Sequence, residues 1–353
     1  MERARAVLLR GIEQGAMPGA VVCVRRRGET LWHEALGTTA GTTPTTLTTL
    51  TTLTTLYDLA SITKPLASAS SICSLVEHGE LLLSTPVVHY LPEASALKDV
   101  TVHHLLTHTS GLPAWIACYQ DEGFGLDSAI RAILKLAPRG APETHYEYSC
   151  LNYILLSKVL ERVTGTTLDR FATEHVFAPL GLAAALTFHP DPTRCAPTIS
   201  QEGPRSGETL TGMVHDGNAR AIMAEGRSVS GNAGLFGTAE AVARFGEAIF
   251  YGDLKGTPTF LGSSTRLRWL TPQSTPPGHT LAFFCPPNPL TPTGELLSDD
   301  AIGHSGFTGT ALVIDPNTGC VISLLTNAVY VDNSKAAFLP MRRRFMNALA
   351  ADL

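Results

Sequence analysis

The stretch Asp58-Leu59-Ala60-Ser61-Ile62-Thr63-Lys64-Pro65 decides how the chain is read, because it sets a serine three residues before a lysine where an apolar segment begins. On a helix, positions i and i+3 share a face with Cβ atoms about 5–6 Å apart, so the Lys64 amine can reach the Ser61 hydroxyl. A buried, neutral lysine amine can take the serine's proton. Pro65 suits a helix that starts near Ser61, since first-turn N–H groups have no intrahelical acceptor to lose. The same N-terminus favours negative charge developing at Ser61. Ile62, Leu66, Ala69, Ile72, Cys73 and Val76 continue at helical spacing up to Gly79, which predicts one long buried helix over residues 61–77. Ser-x-x-Lys alone is common on surface helices, so the rest of the chain must carry the chemistry.

Upstream, Thr45-Thr46-Leu47 is followed by three further Thr-Thr-Leu units ending at Leu56. A period of three matches neither the helix nor the strand template, and the unit is far shorter than the roughly 20 residues of a solenoid repeat. It reads as an expanded surface loop, with a flap at the site mouth as the alternative. Before it come a helix over residues 3–14 and a hairpin: a buried strand over Pro18-Gly19-Ala20-Val21-Val22-Cys23-Val24, a turn at Arg27-Gly28-Glu29, and a second strand over residues 30–36.

Downstream, helical spacing recurs near residues 101–108, 128–136, 150–163 and 167–177. Residues 186–230 read as irregular connection. A helix over residues 239–250 has Thr238 as N-cap, and a short one follows near residues 264–270. Strands over residues 310–314 and 320–325 flank an Asp-Pro-Asn-Thr-Gly turn, and a last helix with Pro340 in its first turn closes the chain. Strands at both ends and helices between them predict an α+β fold: one antiparallel sheet built from both chain ends and flanked by helices, with an inserted mainly helical lobe. The expected organisation is a single domain over residues 1–353, with a sheet lobe at about 1–60 and 240–353, a helical lobe at about 61–239, and the site between them.

A net charge of −5 gives no basis for binding nucleic acid or anionic membrane. The short runs Arg25-Arg26-Arg27 and Arg342-Arg343-Arg344 read as a strand end and a solvated helix face. No segment approaches the roughly 20 apolar residues of a membrane span, and residues 1–28 hold no apolar leader core. A cytoplasmic location is therefore expected, or a periplasmic one if the N-terminus is incomplete. The seven cysteines are scattered without a Cys-x-x-Cys pair, so neither a zinc site nor a disulfide framework is expected. His104 and His108 are i,i+4 neighbours, but no glutamate of a His-Glu-x-x-His motif lies between them. They read as side chains satisfied locally at a helix end, and neither metal nor cofactor is expected.

Three motifs now line up: Ser61-Ile62-Thr63-Lys64, Tyr148-Ser149-Cys150 at the head of a helix, and His304-Ser305-Gly306 beside the terminal hairpin. In order and spacing they resemble the class C β-lactamase and penicillin-binding-protein family of serine hydrolases, which includes carboxylesterases and D-amino-acid peptidases. The resemblance extends to Pro18-Gly19-Ala20, to the segment His104-Leu105-Leu106-Thr107-His108-Thr109-Ser110-Gly111-Leu112, to His215-Asp216 with residues 231–236, and to Phe307-Thr308-Gly309-Thr310.

That resemblance implies an acyl-enzyme on Ser61, with Lys64 and Tyr148 completing the catalytic set, Tyr148 as phenolate or as proton shuttle. It implies that His304, Ser305 and Gly306 line the cleft from a strand edge and bind a substrate carboxylate or orient the acyl chain. The backbone N–H groups of Ser61 and Phe307 are the natural oxyanion pair, since two donors must converge on one developing charge. Two positions depart from the pattern. Cys150 stands where an asparagine usually holds the lysine, with Asn152 a substitute only on a shifted register. His304 stands where β-lactamases carry lysine and, near its ordinary pKa of about 6.5, is mostly neutral at pH 7. Both changes favour an esterase or peptidase acting on a small ester, amide or D-amino-acid peptide. The alternatives are a β-lactamase or penicillin-binding DD-carboxypeptidase, and a catalytically weak binding or scaffold member of the family.

Overall fold

The structure is a computed structural model that describes residues 1–40, 50–121, 123–253, 259–274 and 277–353. The expected sheet from both chain ends is present. Strands β1 (Gly19–Arg26) and β2 (Glu29–Gly37) form the first hairpin, and β8 (Ile302–Ser305), β9 (Ala311–Asp315) and β10 (Cys320–Thr326) come from the other end. Their order is β2-β1-β10-β9-β8, every pairing antiparallel, and Ala20 opposite Thr326 joins the first strand to the last. Because side chains alternate across a strand, β1 feeds two cores at once. Val21 and Cys23 face one cluster with Leu312, Ile314 and Val321, while Ala20, Val22 and Val24 face another with Val313, Ile322 and Leu324. Each fully buried valine stabilises the fold by roughly 1.5–3 kcal/mol.

Helices cover both faces. Helix α1 (Glu2–Glu13) packs on α11 (Phe338–Ala350) over the second cluster, and α9 (Ala239–Tyr251) lies across β1, β9 and β10 over the first. Between the sheet segments run α2 (Ser70–Glu77), α3 (Val102–Leu106), α4 (Cys118–Asp121), α5 (Leu126–Leu134), α6 (Cys150–Thr164), α7 (Leu168–Ala172) and α8 (Gly217–Met223), with α10 (Ser263–Leu270) after α9. Short strands tie this part together: β3 (Tyr57–Asp58), β7 (Phe236–Gly237) and β4 (Leu186–Thr187) form one small sheet, β5 (Thr198–Ile199) and β6 (Thr209–Leu210) another.

Three expectations need correction. Residues 186–230 are not wholly irregular: α8 starts at Asp216, whose carboxylate accepts the Ala219 N–H at 2.8 Å. The helix has 7 residues, too few for the apolar period to register. Residues 302–305 are themselves the edge strand β8, not merely its approach. Arg342 does not lie on the solvated helix face with Arg343 and Arg344: it is half-buried and lines a cleft described below, while Arg25, near the strand end as expected, pairs with buried Glu247 at 2.6 Å. Of the threonine-leucine repeat, residues 45–49 lie outside the described residues, and residues 50–56 run from a bridge at Thr38 to one at Cys195.

Candidate active site

Ser61 stands at a tight turn off β3. Ala60 adopts a left-handed conformation, with φ of 46°, which a residue with a Cβ rarely accepts. The turn is held by Asp58, whose carboxylate accepts the Ala60 N–H at 2.8 Å and the His215 N–H at 2.7 Å. Burial of that carboxyl group raises its pKa to about 6, against the pull of the same two N–H bonds. From Ser61 the chain does not form the single regular helix expected. A 3₁₀ turn over Ala60–Ile62 passes into a wide π-type turn over Lys64–Ala69 before α2 begins. Pro65 explains the widening, since its ring would meet the Ser61 carbonyl four residues back in a regular α-helix.

Lys64 is fully buried, and its amine donates to Ser61 Oγ at 2.9 Å and to the Asn232 carbonyl at 2.9 Å, with Cys150 Sγ at 3.6 Å. Burial lowers its pKa, which Cys150 and Asp216 only partly oppose. Asn232 is the residue that reading the sequence missed: its acting group is a main-chain carbonyl, for which no side-chain signature exists. The loop carrying it is fastened to the nucleophile segment by Ser68 Oγ to the Gly231 carbonyl at 2.7 Å and by the Leu235 N–H to Thr63 Oγ1 at 3.1 Å. Gly231 permits this approach, because a Cβ there would sit 2.1 Å from the Tyr153 carbonyl.

The Tyr148 ring lies 4.9 Å from the Lys64 amine. Burial pushes its phenol well above the ordinary tyrosine value, with the Cys150 charge adding to the rise and a hydrogen bond with Ser61 opposing it. Burial thus disfavours the phenolate form of Tyr148. Cys150 stays partly exposed beside Lys64. Asn152 does not replace it: Asn152 is fully buried on α6 and its Oδ1 accepts from Ser110 at 2.7 Å, away from the cleft. One residue along a helix turns a side chain by about 100°, and two place it across the helix.

The edge strand β8 supplies the third wall. Thr308 Oγ1 donates to the Asp58 carbonyl at 2.6 Å and Thr310 Oγ1 to the Leu59 carbonyl at 3.2 Å, so the wall is pinned to the nucleophile turn. Gly306 allows the contact, as a Cβ there would lie 2.4 Å from the Leu59 carbonyl. Ser61, Tyr148, Ser305, Gly306 and Phe307 then line one cleft of about 300 Å³. Neither the Ser61 nor the Phe307 N–H has a hydrogen-bond partner among the described residues. His304 is not among the residues that line this cleft. Its ring is buried against Phe284 at 4.5 Å, its Nδ1 faces the Ser305 carbonyl at 3.0 Å, and burial drives its pKa down to about 3. The cations of the cleft are instead Lys335 and Arg342. Lys335 donates to the Phe307 carbonyl at 2.9 Å, and neither cation is in an ion pair among the described residues.

A larger cavity of about 570 Å³, lined by Tyr119, Phe188, Met213 and Met223, holds none of the three motifs. One cluster has the composition of a metal site: His103, His104 and Glu143. Its chemistry argues against one. His104 Nδ1 accepts the Thr101 N–H at 3.1 Å in the capping box of α3, so Nε2 carries the proton and faces Glu143 as a donor at 3.2 Å. His104 is satisfied locally at its helix end, as expected, whereas the His108 ring accepts from the distant Ser149 N–H at 3.0 Å.

The family model named Beta-lactamase matches residues 4–340. The chain belongs to the β-lactamase family. It is 30% identical to the esterase EstB of Burkholderia gladioli, over 96% of this chain and 93% of that one. It is 29% identical to the N-acetylmuramyl-L-alanine amidase of Bacillus subtilis, over 88% of this chain and 77% of that one. Among solved structures, EstCE1, a hydrolase with promiscuous acyltransferase activity, superposes with a TM-score of 0.78 at 20% identity, covering 99% of this chain and 98% of that chain. Membership of the β-lactamase family and these relatives point to a serine hydrolase of the β-lactamase and penicillin-binding-protein superfamily.

Proposed function

We propose that this protein hydrolyses small esters or amides, D-amino-acid peptides included, through an acyl-enzyme on Ser61. The observation that carries the reading is the buried Lys64 amine, 2.9 Å from Ser61 Oγ and held from behind by the Asn232 carbonyl. With its pKa lowered by burial, Lys64 takes the Ser61 proton as Oγ bonds to the substrate carbonyl carbon. The negative charge on the carbonyl oxygen is met by the Ser61 and Phe307 N–H groups, each worth roughly 3–4 kcal/mol in such a role. The proton passes through the Tyr148 hydroxyl to the departing alcohol or amine as the carbon–heteroatom bond breaks. Water then attacks the acyl carbon, giving its proton to the same pair and returning Ser61 as the hydroxyl.

Two features support an esterase or peptidase over an efficient β-lactamase: Cys150 and the neutral His304 stand where asparagine and lysine are usual in the family. The full-length match to an esterase supports the same side. The catalytically weak alternative draws on Cys150, a poor partner for the lysine, but the Asn232 carbonyl gives Lys64 an oxygen acceptor. Lys335 and Arg342 favour a substrate that carries a carboxylate, since both cations face one cleft and neither is in an ion pair among the described residues.

The test is covalent labelling. A fluorophosphonate probe and a fluorescent penicillin should label the wild type stoichiometrically and not label Ser61→Ala. Folded wild-type protein that resists both probes and turns over no p-nitrophenyl ester would sink the reading.

A further inference from the structure

His108, set aside above as a locally satisfied side chain, lies at the second motif and does more than end α3. It is buried and left-handed, with φ of 58°. Its carbonyl accepts the Glu147 N–H at 3.1 Å and its Nδ1 accepts the Ser149 N–H at 3.0 Å. The residues on either side of Tyr148 are thus gripped by one residue, and the His108 ring lies 4.6 Å from the Tyr148 ring. Further ties of this segment are Ser149 Oγ to the Pro113 carbonyl at 2.7 Å, the Cys150 N–H to the Ala114 carbonyl at 2.9 Å, and the Glu147 carboxylate, which accepts the Ala114 N–H at 2.8 Å and pairs with Arg139 at 3.1 Å. Among them, only the imidazole offers a side-chain acceptor to the main chain immediately after the phenol.

The chemistry explains why an imidazole stands there. Ser149 is fully buried, so its N–H needs an acceptor. An acceptor Nδ1 requires a neutral ring with its proton on Nε2. Burial, and after it Lys64, hold the ring neutral by pulling its pKa well below the ordinary value. The left-handed backbone adds a second constraint: among L residues, asparagine, aspartate and histidine tolerate it best.

We propose that His108 is a positioning residue for Tyr148: its carbonyl and Nδ1 clamp the main chain on both sides of the phenol and so fix its aim at Ser61 and Lys64. The proposal rests on Ser61 and Tyr148 acting as described under the proposed function. A displacement of about 1 Å at such a group costs on the order of 100-fold in rate.

The test compares His108→Asn, His108→Gln and His108→Ala on a neutral p-nitrophenyl ester, alone and in a Tyr148→Phe background. Asparagine accepts the left-handed backbone and places Oδ1 where Nδ1 stood, whereas glutamine keeps polarity and bulk but carries its acceptor one bond too far. His108→Asn should retain kcat within about fivefold, and His108→Gln should lose about 30-fold or more at nearly constant KM, both with wild-type circular dichroism. In the Tyr148→Phe background the glutamine substitution should cost less than about threefold, because a group that acts through the phenol has nothing left to position. Equal kcat for Asn and Gln, or the same loss in both backgrounds, overturns the proposal. If His108→Ala does not fold, the Asn and Gln pair alone decides. Ester hydrolysis that continues at the wild-type rate in Ser61→Ala would instead reject the functional reading beneath it.

Discussion

The Lys64 amine donates to the main-chain carbonyl of Asn232 at 2.9 Å, an acceptor that no side-chain substitution can remove. The lysine is thereby aimed at Ser61 even with Cys150 beside it, and its charged form is the one that burial disfavours.

The acid limb of kcat/KM follows from that lysine. Its pKa is lowered from the ordinary 10.5, and only the free amine takes the Ser61 proton, so kcat/KM should rise with pH through a titration below 10.5. Lys64→Met should abolish that limb and reduce kcat by about 10²–10⁴-fold, measured with a p-nitrophenyl ester. The same shift bears on stability. Between the folded pKa and 10.5 the unfolded chain binds the extra proton, so the wild type gains stability relative to Lys64→Met as pH rises through that window. A flat difference in urea midpoints across it would contradict the assignment.

Asp58 titrates in the opposite sense to a paired carboxylate. Its folded pKa, about 6, lies above the ordinary 3.8, so the folded state holds the proton longer than the unfolded chain does. The contribution is fully present below pH 4 and is lost as pH rises through 6. Over that window it amounts to about 3 kcal/mol. Wild-type stability measured against Asp58→Asn should therefore fall by up to about that amount between pH 4 and 7, in urea titrations of both proteins. A difference that grows with pH would show that the two N–H bonds outweigh burial.

How much of this was legible depended on which atoms act. The continuous apolar run Val21-Val22-Cys23-Val24 and the hairpin around residues 315–319 announced the sheet, because a strand buried on both faces is apolar at every position. Ser61, Lys64 and Tyr148 were legible because the acting atoms are side chains at fixed spacing. Asn232 was not, since its carbonyl is common to every residue. Arg342 shares α11 with the exposed Arg343 and Arg344, and a run of three arginines on a helix hides the one that turns inward. That the His304 ring is buried against Phe284, with its pKa pulled down by burial and then by Lys64, was not legible, because only the folded chain supplies those surroundings.

Arg25 and Glu247 offer a test away from the site. The pair joins β1 to α9, with the second carboxylate oxygen accepting the Gly28 N–H at 2.8 Å, and both side chains are nearly inaccessible to water. Glu247→Ala leaves a buried guanidinium with only Thr30 and the Gly28 carbonyl as acceptors. Removing one member of such a pair costs about 3–5 kcal/mol. Equilibrium unfolding in urea should show that loss, with Ser61 labelling of the remaining folded protein intact. A change below about 1 kcal/mol would mean that the pair is solvated.

The cleft cations predict substrate preference. Arg342 lowers the pKa of Lys335, so the two charges lie close enough to repel, and burial takes Lys335 down to about 8. A carboxylate on the substrate would relieve that repulsion and pair with both. An anionic ester such as 4-nitrophenyl hydrogen succinate should therefore be favoured over 4-nitrophenyl butanoate. A charge-assisted hydrogen bond contributes about 1.5–3 kcal/mol, so Arg342→Gln should lower the anionic-to-neutral ratio of kcat/KM by about 10-fold or more. The ratio should also fall with added salt and above pH 8, where Lys335 loses its proton. An anionic-to-neutral ratio that ignores Arg342, salt and pH would place the substrate's polar end elsewhere and leave these two cations without a role in recognition.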